Sequence, residues 1–317
     1  MHQPGVTSRP VPRAGMVAPV LRALAVGIAL VSLAVPAVGD GIRVNDDRGR
    51  TVHLDQPALR IVSLAPHVTE LLFAVGGGDR IVATVAYSDY PEAAESIPRV
   101  GTATQLDLER LLALSPDLVI AWSSGSPGAT LERLENLGLT LYYSEPGDFA
   151  GIAADLRRLG QLVGQEGRGA RAADEFLDRI AELRHQFSRR DEVTVFYQVW
   201  DQPLMTVNDQ HLIGRAIELC GGHNLFGALE TLVPRPGQET VIAADPEAIV
   251  SGGPGEDRAD WLDAWRAWPQ LTAVRQDNLF FIPPSLLQRH TPRMAQGVAL
   301  LCEALETARS RRVEAPR

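Results

Sequence analysis

The first 39 residues contain no Asp or Glu. They carry Arg9, Arg13 and Arg22, an almost wholly apolar run over 23–35, and then Ala37-Val38-Gly39. Cationic, apolar and small residues in that order predict a secretory signal peptide over 1–39, cut near Gly39, with Met16 an equally good start. This apolar run stops at Pro36, short of the roughly 20 residues that a spanning helix needs, so a transmembrane anchor is the weaker reading. No Cys follows the leader closely, which excludes a lipid anchor on a mature N-terminal Cys and points to a soluble periplasmic protein.

Motifs that carry chemistry are also scarce. Gly76-Gly77-Gly78 lacks the Gly-x-Gly-x-x-Gly spacing of a dinucleotide site, and there is no Walker loop, Gly-x-Ser-x-Gly elbow or His-Glu-x-x-His pair. His67 and His290 have no companion at metal-ligand spacing, so no protein-held metal site is expected. No residue is assigned a catalytic role, and a periplasmic enzyme stands only as the reading of a different class. Positive charge is in deficit, with 30 Lys and Arg against 39 Asp and Glu for a net of -9. Removing the three leader arginines leaves 27 against 39, a net of -12, and so acidic a surface argues against phosphate-mediated binding of nucleic acid. The only cysteines are Cys220 and Cys302; oxidising conditions outside the cytoplasm favour their pairing in one disulfide, the alternative being two separately buried thiols.

What the chain does have is length and alternation. Its 317 residues, 45% hydrophobic and 22% charged, suffice for two domains. Apolar runs predict strands at 60–64, 80–85, 117–122 and 139–144, separated by helices at 69–75, 107–114 and 129–137. Over 170–190, Ala172, Phe176, Ile180, Leu183 and Phe187 recur at steps of three or four without Gly or Pro, the mark of one long amphipathic helix. The alternation then resumes, with strands at 194–200, 248–252 and 278–282 and helices at 211–220, 260–268 and 292–309. Strands alternating with helices imply mostly parallel sheets covered on both faces. The fold class expected is α/β: two pseudo-symmetric lobes over 40–165 and 191–317, joined by a long linking helix within 166–190, with a ligand cleft between them.

A short duplication supports this. Residues 109–120, from Glu109 through Pro116 to Ile120, align without a gap on 239–250, from Glu239 through Pro246 to Val250. Each copy places a Glu near the start of a short helix, a Pro that blocks its continuation and an acidic residue leading into a buried strand. The bland alternative is that any α/β chain repeats helix, Pro and strand.

Several segments are recognisable together. Ile61-Val62-Ser63-Leu64-Ala65-Pro66, Tyr87-Ser88-Asp89-Tyr90-Pro91, the stretch from Pro116 to Trp122, Cys220-Gly221-Gly222-His223-Asn224-Leu225-Phe226 and Pro292-Arg293 resemble the periplasmic cobalamin-binding proteins of ABC importers over roughly 60–305. The resemblance implies a stiff helical backbone between lobes that move little, and cobalamin or a related corrinoid as the transported ligand rather than a cofactor. It also implies that Glu109 and Glu239 engage arginines on the two halves of a permease dimer served by its ATPase subunits. Related proteins of the same pattern bind haem or ferric siderophores, and such a ligand is the alternative. Haem binders of the family tend to carry a Tyr just after the Gly that aligns with Gly101, where this chain has Thr102-Ala103. The cobalamin binders suggest Trp at Ala103, Trp near Arg235 and Asp near Ser285, so this chain departs from them there.

Loops after strand C-termini line the clefts of open α/β sheets. Tyr87, Trp122 and Trp200 follow or end predicted strands, and their aromatic faces suit a large flat ring. Arg289 and His290 border the expected cleft from the second lobe, and His67 from the first, although His67 reads equally well as a simple loop histidine. Trp261, Trp265 and Trp268 share a helical spacing that predicts core packing.

Overall fold

Apolar, β-branched runs bounded by Pro, Gly or Asp form the buried strands here, as sheets covered on both faces require. The computed structural model describes residues 41–253, 255–257 and 260–313; the predicted signal peptide lies outside the described residues. An antiparallel hairpin, β1 (Ile42–Asn45) and β2 (Thr51–Leu54), comes first. The first lobe continues through β3 (Ile61–Ser63), α1 (Pro66–Ala74), β4 (Ile81–Ala83), α2 (Leu108–Ala113), β5 (Leu118–Trp122), α3 (Gly128–Asn136) and β6 (Leu141–Ser144). Helices α4 (Phe149–Leu162) and α5 (Glu166–Phe187) follow. The second lobe runs β7 (Val193–Gln198), α6 (Leu212–Leu219), β8 (Gly222–Asn224), α7 (Gln238–Ala244) and β9 (Ala248–Ser251). It ends with α8 (Asp260–Asp263), α9 (Thr272–Arg275), β10 (Leu279–Phe281), α10 (Pro284–Leu287) and α11 (Met294–Val313).

Each lobe holds one parallel sheet of four strands, ordered β4-β3-β5-β6 in the first and β8-β7-β9-β10 in the second. Counted within its own lobe, each sheet has the order second, first, third, fourth. The sequence duplication falls on equivalent places in these sheets. Ser115 and Asp245, which correspond in the alignment, both adopt a φ of 45° and end α2 and α7 in the left-handed conformation. Pro116 and Pro246 follow. Asp117 then accepts the backbone N–H of Leu59 at 2.7 Å beside β3, and Glu247 accepts that of Thr194 at 2.9 Å in β7. The repeated acidic residue thus caps the neighbouring strand in both lobes.

The long helix extends over Glu166–Phe187 rather than 170–190, and its 22 residues span about 33 Å at about 1.5 Å per residue. Phe176, Ile180, Leu183 and Phe187 are buried as their spacing predicts, in a core that draws on both lobes. It packs against α4, to which the sequence reading assigns no element. Gly160 and Gly169 allow that contact, since a Cβ on Gly169 would lie 2.6 Å from the Leu156 carbonyl oxygen.

Three expectations need correction. The strand predicted over 194–200 stops at Gln198, and Trp200 lies beyond it, bridged to Met205. The helix predicted over 260–268 breaks after Asp263 into a tighter 3-10 turn, Ala264–Ala267, which still buries Trp265. His67 is not in a loop: it is the second residue of α1. Cys220 and Cys302 form the expected disulfide, tying the end of α6 to the middle of α11 with a Cα separation of 4.7 Å.

Candidate functional site

The first lobe presents its candidate residues from a scaffold of buried hydroxyls. Ser63 meets Thr69 at 2.8 Å, Thr69 meets Thr84 at 2.8 Å, and Thr84 donates to Ser88 at 2.7 Å. All four are buried, so the turn after β4 is pinned from below. At its apex Tyr87 has a φ of 66° and is 79% exposed. A left-handed tyrosine costs about 1–2 kcal/mol, and such strain persists only where the surroundings impose it. At the end of β5, Trp122 donates from Nε1 to Glu145 at 3.2 Å, and Gly125 packs against its ring, where a Cβ would come within 1.8 Å of Cε3. The Trp122 ring meets His67 edge-on at 5.4 Å.

The second lobe answers from its own strand ends. Trp200 is 44% exposed, donates from Nε1 to the Gln202 carbonyl at 3.1 Å and meets Trp261 edge-on at 5.5 Å. Trp265 is buried and donates to Gln198 at 2.7 Å, in keeping with the core role that its spacing predicts. Arg289 reaches across to the first lobe, donating to Glu70 at 2.9 Å, to Asp89 at 2.6 Å and to the Tyr87 carbonyl at 3.1 Å. Arg293 donates to both Glu70 oxygens, at 2.9 and 2.8 Å, and stacks 3.8 Å from the Tyr90 ring centroid. The predicted cleft residue Arg289 is therefore already engaged as a tie between the lobes. Two arginines compensate one buried carboxylate, the condition under which burying such charge is tolerable.

Between these ties lies a row of imidazoles. The ring centroids of His67 and His290 are 6.1 Å apart, and those of His290 and His211 are also 6.1 Å apart. His211 caps α6, its Nδ1 accepting the Ile213 N–H at 3.1 Å. Burial, then His290 and Arg289, push His67 down to about 3. Burial, then His211, pushes His290 down to about 4, and burial alone pushes His211 to about 4. All three are neutral near pH 7. His67 and His290, unrelated in the sequence, are thus brought together from opposite lobes.

The sequence reading missed four residues here: Glu70, Asp89, Arg293 and His211. Asp89 and Arg293 sit inside quoted segments, and Glu70 is a charge buried with its neighbours from His67 to Leu72 on α1. No spacing links Glu70, Asp89 and Arg293, because their partners lie in the other lobe, and His211 meets His290 of its own lobe only in the folded chain. Where the resemblance suggests Asp near position 285, Ser285 donates to the Glu256 carboxylate at 2.7 Å, so an acidic group does stand there.

Glu109 and Glu239 occupy the second positions of α2 and α7, and both are exposed. Asp107 caps α2 by accepting the Arg110 N–H at 3.0 Å, whereas Gly237 begins α7 without a side-chain cap.

This architecture has known counterparts. The sequence pattern of the family described as periplasmic binding protein matches residues 61–286. The chain belongs to that family. Among periplasmic binding proteins it is 34% identical over 256 residues to the vitamin B12-binding protein of Vibrio campbellii, covering 81% of this chain and 92% of that one. The crystal structure of the periplasmic vitamin B12 binding protein BtuF of Vibrio cholerae superposes with a TM-score of 0.73 at 35% identity, over 80% of this chain and 98% of that one. The periplasmic haem-binding protein RhuT of Roseiflexus superposes with a TM-score of 0.68 at 25% identity, over 78% and 98% of the two chains. The family is one of substrate-binding proteins.

Proposed function

We propose that this protein is exported to the periplasm behind a cleaved signal peptide, captures cobalamin or a related corrinoid between its lobes and delivers it to an inner-membrane ABC importer. The reading is supported by Tyr87 and Trp200, two exposed aromatic side chains that lie beyond strand C-termini of opposite lobes. Aromatic faces at the C-terminal ends of strands suit a large flat ligand surface. Support also comes from relatives named for vitamin B12 at better than a third identity over most of the chain, such as the 36% match to the Vibrio cholerae protein. Trp122 and the imidazole row form the floor, and Arg289 borders it while holding the lobes.

Docking to the importer is assigned to Glu109 and Glu239. Both stand at the same position of the duplicated segment, so one pose on a two-fold permease satisfies both, and opposite-charge steering speeds encounter. The experiment that tests the ligand is a titration of purified protein with cyanocobalamin, haemin and a ferric siderophore, following tryptophan fluorescence and the visible spectrum. Quenching by the corrinoid at micromolar concentration is expected. A response to haemin or the siderophore alone transfers the reading to that ligand, and turnover of a bound substrate would make the protein an enzyme.

A further inference from the structure

We infer that His290 donates a ring nitrogen to the cobalt of a corrinoid bound in the cleft, so that corrinoids with an exchangeable axial position are held through the metal as well as around the ring. This rests on the corrinoid reading above and adds a specificity-determining residue to it.

The three imidazoles are not equivalent. His211 accepts the Ile213 N–H at Nδ1, so in the neutral ring the proton sits on Nε2 and that edge donates rather than coordinates. His67 is 5% exposed, and its Nε2 is sealed in the interior with no hydrogen-bond partner. His290, between them, is only partly buried, and no side chain or backbone group among the described residues bonds to its ring. Burial keeps it neutral near pH 7, which leaves a lone pair available to a metal.

Its position is also held. Arg289 on one side is tied to Glu70, Asp89 and the Tyr87 carbonyl, and on the other side the Thr291 N–H donates to the Arg289 carbonyl at 2.9 Å. A donor fixed by its neighbours loses little freedom on binding. The tilted ring of His67 and the edge-on ring of His211 flank it at 6.1 Å each.

The spacing selects the kind of metal. Among the described residues no group of three or more His, Cys, Asp or Glu side chains is placed to hold an ion. One imidazole beside the Arg289 guanidinium would hold a free cation poorly. A metal already ligated in a macrocycle needs one further donor, and imidazole suits such transition metals. In the exchange a cobalt–nitrogen bond forms as a cobalt–water bond breaks; the water leaves, and neither cobalt nor protein changes oxidation state.

The test compares aquocyanocobinamide, which carries an exchangeable water, with dicyanocobinamide, in which cyanide fills both axial positions. Tryptophan quenching reports binding, and the visible bands report coordination. The wild type should shift the bands of the first compound but not of the second. In His290→Ala and His290→Gln the shift should be lost at concentrations that still quench. Quenching without a band shift in the wild type, or a shift that survives both His290 variants, overturns the coordination and leaves the corrinoid reading standing. No quenching by any corrinoid overturns both.

Discussion

Arg289 of the second lobe pairs with Glu70 of the first at 2.9 Å, and the carboxylate side chain is only 2% exposed. Arg293 closes on the same group at 2.8 Å, so one acid shared between two bases ties the lobes together. A protein whose lobes are joined in this way, as well as through α5, resists wide opening.

The first prediction concerns that acid. Glu70→Gln keeps the shape but leaves Arg293 without its charge partner and Arg289 with Asp89 alone, which should cost about 3 kcal/mol. Urea unfolding followed by circular dichroism measures it. A loss of under about 1 kcal/mol would mean that the pair is no more than a surface contact.

Tyr87 is a place where function and stability should separate. Tyr87→Ala and Tyr87→Gly both remove the exposed ring and should weaken corrinoid binding by about tenfold, or about 1.4 kcal/mol. Gly adopts the left-handed backbone without penalty, so it should be the more stable of the two by about 1 kcal/mol. Equal thermal midpoints for the two variants would show that the turn relaxes once the ring is gone.

Replacing Glu109 and Glu239 together by Ala should impair uptake by cells or by transporter-containing vesicles while leaving corrinoid affinity unchanged. Both residues are exposed, so folding should not suffer. Undiminished uptake by the double variant would remove the docking assignment.

The disulfide should matter through the chain that it closes. Cys220 and Cys302 are 82 residues apart, and the loop-closure relation gives a stabilisation of about 4.5 kcal/mol for a loop of that size. The Cys220→Ala, Cys302→Ala variant should melt well below the oxidised protein. Coincident melting curves would show that the reduced unfolded chain is already as restricted as the cross-linked one.

The ligand-free protein should lose stability on acidification. His67, His211 and His290 are held at about 3, about 4 and about 4, below the ordinary 6.5, so the unfolded chain takes up their protons first. Their contribution is complete above about pH 6.5 and is lost as pH falls towards 4, at roughly 1.4 kcal/mol per unit for each histidine that charges only on unfolding. Thermal midpoints between about pH 7 and pH 5 should fall, and less steeply in His67→Phe. A flat profile would place these rings in water.

The strands that the sequence reading names carry their own signal, because a parallel strand buried on both faces must be apolar throughout. Leu118 to Trp122 shows this. The α4 helix was legible too: Asp148 accepts the Gly151 N–H at 2.7 Å as its cap, and Ile152, Leu156 and Leu159 recur at helical steps. Its Gly and Arg content, and its run into α5, hide it between two stronger patterns. The β1–β2 hairpin is harder to see, since each strand has only four residues.

By itself the sequence determined the α/β class, the twin lobes, the buried face of α5 and the matched glutamates, because each of these is written in periodicities a few residues long or in a direct repeat. Tertiary structure alone decided the tie between the lobes. Glu70 and Arg289 are 219 positions apart, and no local pattern says that a charge on α1 will find its partner beyond β10. The same holds for His67 and His290: their neutrality arises from burial between two lobes, a property of the assembled molecule and not of either segment.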